Sequence, residues 1–129
     1  MGLTIEYRGI RQLPTCIGNE RIRITADGHV SHSRNTVECD DGAIWSADWR
    51  DVGRLDDTAL ARLRDQIAGS GLLKQPPELV DEVVEGGTRE ELDLAIDERE
   101  YHFVVQNTDA PAFRAVITLL WGILFSLDA

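Results

Sequence analysis

From Ala115 to Leu127 the chain carries no charge, and Phe113, Val116, Ile117, Leu120, Trp121 and Leu124 recur at helical spacing. Leu119, Ile123, Phe125 and Leu127 lie off that stripe. A helix over about Ala110 to Ser126, opened by the cap cluster Asn107-Thr108-Asp109 with Pro111 in its first turn, is therefore apolar nearly all round. Such a helix must be covered on most of its surface. Arg114 and Asp128 bracket only thirteen residues, whereas a membrane span needs about 20. The helix is thus expected to lie on a sheet. Two arrangements satisfy it: a plain core helix, or a helix with one face on its own sheet and the other in a homodimer interface of Leu119, Ile123, Phe125 and Leu127.

The sheet is written as alternation. Leu3 to Tyr7 alternates apolar and polar residues and predicts a half-buried strand. Arg21 to Thr25 alternates again, Asp27-Gly28 suits a two-residue hairpin turn, and the polar run His29 to Ser33 reads as a returning strand near a sheet edge. With residues 26 and 29 flanking the turn, Arg23 falls opposite His32 and Thr25 opposite Val30. Ile44 to Arg50 reads as a further strand with Trp45, Ala47 and Trp49 on one face. Asp56 to Gly69 predicts a helix: Asp56 or Asp57 caps it, Leu60, Leu63 and Ile67 form its stripe, and Gly69 and Gly71 stop it. After the rigid Gln75-Pro76-Pro77, Glu78 to Glu85 predicts one or two helical turns with Leu79 and Val83 inward. Leu92 to Ile96 and Tyr101 to Val105 form a hairpin about Asp97 to Glu100. The 129 residues are expected to form a single α+β domain: an antiparallel β-sheet of five to six strands with two main helices on one face.

The formal net charge is −10, and the excess acid lies after Asp40. It is densest between Glu78 and Glu100, where ten acids face only Arg89 and Arg99. This balance excludes a nucleic-acid or anionic-membrane surface. It leaves a solvated acidic face, or a docking face for a basic protein partner. Met1 to Ile10 lacks the apolar core of a secretory leader. Cys16 and Cys39 are accordingly expected as free thiols in a reducing, cytoplasmic setting, with a disulfide as the alternative if their loops meet.

Chemistry is sparse. No Cys-x-x-Cys or His-Glu-x-x-His spacing exists, and His29 and His32, three apart on a strand, face opposite ways, so neither metal nor other cofactor is expected. No serine lies in a Gly-x-Ser-x-Gly elbow, and the acids beside Cys39 disfavour its thiolate. The expected function is non-enzymatic: a module that binds another protein or a second copy of itself. An enzyme of unrecognised type would need a pocket joining His102, Tyr101 or His32 to carboxylates. Binding falls first on Trp45, Trp49, Arg21 and Arg23, then on Glu98 and Arg99 at the hairpin tip.

The order of elements carries a resemblance. It comprises a first strand ending at Arg8-Gly9, a strand around Trp45 to Asp48, Leu55 before a helix bearing Leu60 and Leu63, then Leu72, Leu73 and Pro76, the Leu92 to Val105 hairpin and a closing helix. This resembles emfourin, a small protein inhibitor of thermolysin-like metallopeptidases, and its relatives. The resemblance implies a non-enzymatic inhibitor that blocks a protease cleft with surface loops. Residues 20 to 42 read as an insertion, Gly9 stands where the family has a doubled glycine, and no inhibitory residue carries over.

Overall fold

The computed structural model describes residues 2–11, 14–81 and 87–128, with the side chain of Asp128 excepted. The chain runs β1 (Leu3–Ile10), β2 (Glu20–Ile24), β3 (His29–Arg34), β4 (Arg50–Arg54), α1 (Asp57–Gly69), β5 (Glu78–Val80), β6 (Arg89–Ile96), β7 (Arg99–Gln106) and α2 (Pro111–Asp128). The strands form one sheet in the order β4-β3-β2-β1-β6-β7-β5. It is a mixed α+β fold with seven strands rather than five to six, and one pairing, β5 with β7, is parallel.

The extra strand corrects the helical reading of Glu78 to Glu85. Pro76 and Pro77 hold the residues before them, Gln75 and Pro76, out of the helical region, and Val104 N donates to Pro77 O at 2.8 Å, which starts the ladder that Glu78 to Val80 continues along β7. The remainder of that expected helix, including Val83, falls on residues 82–86, outside the described residues.

One face of the sheet holds the core. Leu3, Ile5 and Tyr7 of β1, Ile22 and Ile24 of β2, Val30 of β3, Leu92 and Leu94 of β6 and Phe103 and Val105 of β7 pack against Leu63 and Ile67 of α1 and Phe113, Val116, Ile117, Leu120 and Leu124 of α2. Both helices thus share one apolar layer, as strand period 2 and helix period 3.6 dictate. Asp56 caps α1 by accepting from Ala59 N at 2.7 Å. Leu72, beyond Gly71, returns to the core and is fully buried.

The β2–β3 register differs from expectation by one residue. Arg23 pairs with Ser31, and Ile22 with His32. The cause is a three-residue loop in place of two. Thr25 N donates to His29 O, Gly28 N donates to Thr25 O, and Gly28 takes φ 91°. A Cβ there would meet Leu55 O at 2.3 Å. The slip moves His32 to the helix side, where its Nε2 lies 3.0 Å from Glu20 Oε2 and its ring stands nearly perpendicular to that of Trp121, ring centres 6.2 Å apart. Trp121 also meets Tyr7 edge to face at 6.2 Å but is only partly buried. Trp121→Ala is therefore expected to cost about 2–3 kcal/mol, below the cost of truncating a fully buried tryptophan; a urea midpoint equal to wild type would contradict this packing.

Leu119, Ile123 and Leu127, expected as dimer-interface residues, are partly buried against the core, with Leu127 lying over Gly53 of β4. Phe125 alone of that set is exposed, at 68%. No helix among the described residues is long and apolar enough to cross a membrane.

Candidate functional site: a disulfide-stapled loop surface

Cys16 and Cys39 are joined in a disulfide across 23 residues. This overturns the expectation of free thiols. It also stands against the reducing setting inferred from the lack of a leader, since disulfides persist where conditions are oxidising. The strands β2 and β3 explain the meeting: the loop entering β2 and the loop leaving β3 emerge side by side at the same end of one hairpin.

Two buried asparagines organise these loops. Asn35, 1% exposed, donates from Nδ2 to Cys16 O (2.9 Å) and Ile44 O (2.8 Å), and its Oδ1 accepts from Ser46 N (2.9 Å) and Ala47 N (3.2 Å). Asn19 donates to Ile44 O at 3.1 Å and accepts from Arg11 N at 2.9 Å. The backbones lock as well, with Gly18 N on Asn35 O and Asn35 N on Asn19 O. These side chains take over the role of a strand ladder. That is why Ile44 to Trp49 is irregular rather than the expected strand, and β4 begins only at Arg50.

The loop is pinned to the open face of the sheet by the four residues first chosen from the sequence. The Arg21 guanidinium lies 4.3 Å from the Trp45 ring centre and 4.4 Å from that of Trp49, and Arg23 lies 4.0 Å from Trp49. Arg21 Nη2 also donates to Ser33 Oγ and Ala47 O, each at 3.0 Å. The tryptophans are therefore neither part of the core cluster nor free; they clamp loop to sheet. From Arg23 an ionic lattice continues across the strands. Arg23 Nη2 reaches Glu6 at 2.7 Å, Arg8 reaches Glu6 (2.6 Å), Glu91 (3.1 Å) and Asp93 (2.7 Å), and Asp93 pairs with His102.

Partial burial raises the carboxyls of Glu6, Glu91 and Asp93. Hydrogen bonds from Arg23, Arg89 and His102 respectively, each joined by Arg8, outweigh it and hold all three below the ordinary carboxylate range. A depressed folded-state pKa contributes stability that is present above the unfolded value and lost as pH falls through the folded one. The urea midpoint is expected to be flat above about pH 5 and to fall below about pH 4. An equal midpoint at pH 7 and pH 3 would contradict the lattice.

What the staple displays is apolar. The described residues include four large hydrophobic side chains that are exposed, and three of them sit on these loops: Ile17 at 41%, Val37 at 60% and Ile44 at 45%. Glu38, Asp40 and Asp41 share the loop between Val37 and Ile44 and line the same cavity as Ile44. Glu38 is itself held by Thr15 Oγ1 (2.6 Å) and Cys16 N (3.3 Å). A shallow cavity of about 500 Å³ lies alongside, lined by Ile10, Pro14, Cys39, Gly42 and Ile44 among others.

Sequence reasoning missed these three side chains, because an isolated Ile or Val in a loop gives no signal of its own. The signal within reach was Cys16 and Cys39, which bracket the hairpin. Glu98 and Arg99 lie apart from this surface, at the β6–β7 turn, where Asp97 and Glu98 adopt φ of 51° and 71°. A second cavity of about 490 Å³ crosses the open face and brings Tyr101 and His102 together with Glu6, Asp93 and Glu100, the juxtaposition that the enzyme alternative required. Two of its acids, Glu6 and Asp93, are already paired in the lattice, with His102 on Asp93; Glu100 is not part of it. Among the described residues, no three His, Cys, Asp or Glu side chains converge as a metal site. Compared with known families and curated proteins, the chain matches no family model and no curated sequence.

Proposed function

We propose that this protein is a non-enzymatic binding module whose contact surface is the disulfide-stapled loop pair carrying Ile17, Val37 and Ile44. One observation carries the reading: exposed apolar side chains concentrate on loops tied together by a disulfide and by the Asn19 and Asn35 side chains. A loop ordered before contact loses little conformational freedom on binding, so its apolar tips convert more of their buried area into affinity. The acids of the same loop suit a partner with an apolar recess edged by Lys or Arg. Arg21, Arg23, Trp45 and Trp49 position the loop. A cytoplasmic setting would leave the cysteines reduced and the loops unstapled; this reading requires the oxidised form.

The test is site-specific. A photo-crosslinking side chain at Val37 or Ile44 is expected to trap one partner in extract from the native cell, while the same group at Asp65 on α1 traps none. Trapping should disappear when Ile17, Val37 and Ile44 are all changed to serine. Equal trapping at Asp65 would contradict the reading.

Inhibition of thermolysin-like metallopeptidases, the role the emfourin resemblance implies, is the sharper form of the same proposal, since a rigid loop with apolar tips suits a protease cleft. Titration of thermolysin with the purified protein decides it, and an undiminished hydrolysis rate at excess protein would remove it. Self-association is favoured by Phe125, exposed on the charge-free stretch Ala115 to Leu127 of α2. Light scattering over a range of concentrations checks it, and a constant monomer mass would exclude it.

A further inference from the structure

A small cavity of about 200 Å³ lies at the far end of β1, between the sheet and α2. It exists because β1 carries Gly9 where its neighbours in the cross-strand row carry Glu20 and Glu90. Gly9 leaves the space open, and a Cβ there would stand 2.9 Å from the Tyr7 hydroxyl. Trp121 of α2 forms an aromatic wall, Arg11 and Arg34 flank the opening, and Thr88 completes it.

The charges around this cavity depart from those of the whole molecule. In a chain of net charge −10, its lining holds two arginines against one acid. The acid, Glu20, is engaged at both oxygens, by His32 Nε2 at 3.0 Å and Arg34 Nε at 3.7 Å. The Tyr7 hydroxyl is engaged too, donating to Glu90 at 2.8 Å. Arg11 is different. Among the described residues its guanidinium has no carboxylate partner, yet it is placed. Its backbone N–H is held by Asn19 Oδ1 at 2.9 Å, and its side chain lies against Gly18, where a Cβ would come within 2.9 Å of both Cδ and Nη1. An exposed guanidinium with no carboxylate partner among the described residues, beside an aromatic wall, pairs a charge with an apolar surface, which is the recognition pattern for an anion that carries an apolar body.

We propose that this cavity binds a small monocarboxylate with an apolar body, its carboxylate on Arg11 and its body against Trp121. The cavity, about 200 Å³, is on the scale of roughly six or seven waters at about 30 Å³ each, which suits a small ligand. This site is separate from the apolar tips of the stapled loops and stands or falls independently of them.

Benzoate is the probe, read through the indole N–H resonance of Trp121 in the full-length oxidised protein, with that resonance identified by its loss in Trp121→Phe. Benzoate is expected to shift it saturably. The neutral isostere benzamide is expected to bind at least tenfold more weakly, and Arg11→Ala to weaken benzoate at least tenfold. Arg62→Ala, on the exposed side of α1, should leave the affinity unchanged. Arg11 is exposed, so its variant should keep the wild-type amide spectrum, which is recorded alongside; Arg11→Gln repeats the test with the side-chain bulk retained. The proposal is overturned by a linear, non-saturating response at Trp121, by equal binding of benzamide, or by unchanged benzoate affinity in both Arg11 variants.

Discussion

Ile24→Asp is expected to leave no cooperative unfolding transition. Ile24 is 1% exposed on the helix side of β2, between Ile5 of β1 and Val30 of β3. The substitution deletes core packing worth about 2–5 kcal/mol. It also places a carboxylate without partners in an apolar layer, at a further cost of several kcal/mol. The sum rivals the entire stability of a domain this size, about 5–15 kcal/mol. Arg23→Gln is the control, one residue away on the opposite face. It loses its ion pair with Glu6 but keeps the fold, at about 1 kcal/mol or less. Far-UV circular dichroism during urea titration separates the two. A folded Ile24→Asp protein with a wild-type midpoint would refute the facing of β2.

The second large effect belongs to the staple. Replacing Cys16 and Cys39 together by serine is expected to cost about 3 kcal/mol, from the chain entropy released by opening a loop of some two dozen residues. For a chain of this length that corresponds to a melting temperature lower by about 10 °C. The loss should not be spread evenly. The sheet has its own core, so the damage falls on residues 36–45, which are expected to become the first site of proteolytic cleavage. An unchanged melting temperature together with unchanged cleavage sites would show that the loops hold without the bond.

Where the sequence alone is enough, a single periodicity decides the outcome. Leu92 to Val105 reads as a hairpin because both strands alternate, and Leu60, Leu63 and Ile67 mark α1 because nothing else explains their spacing. The failures share a different cause: contacts between segments distant in sequence. Ile44 to Trp49 alternates like a strand, but Asn35 and Arg21 satisfy its backbone from elsewhere, and no local pattern reveals that. Glu78 to Val80 is too short to distinguish one helical turn from three residues of parallel strand; the neighbouring β7 decides. The β2–β3 register turned on whether Ala26 belongs to the turn, a difference of one residue that moved His32 from one face of the sheet to the other. Of the site, the sequence disclosed the clamp, since Trp and Arg are conspicuous. It did not disclose the tips, whose significance comes from exposure on an ordered loop.

Amide hydrogen exchange of Gly18, Asn35, Ser46 and Ala47, with and without a dithiol reductant, tests most directly whether these loops are held ready. All four amides donate within the Asn19–Asn35 network. In the oxidised protein they are expected to exchange at least about 100-fold more slowly than in an unstructured peptide, and to approach the peptide rate on reduction while the amides of β1 and β6 stay protected. Peptide-like exchange of the four amides in the oxidised protein would contradict the account, because loops that are not ordered beforehand offer no prepared contact surface.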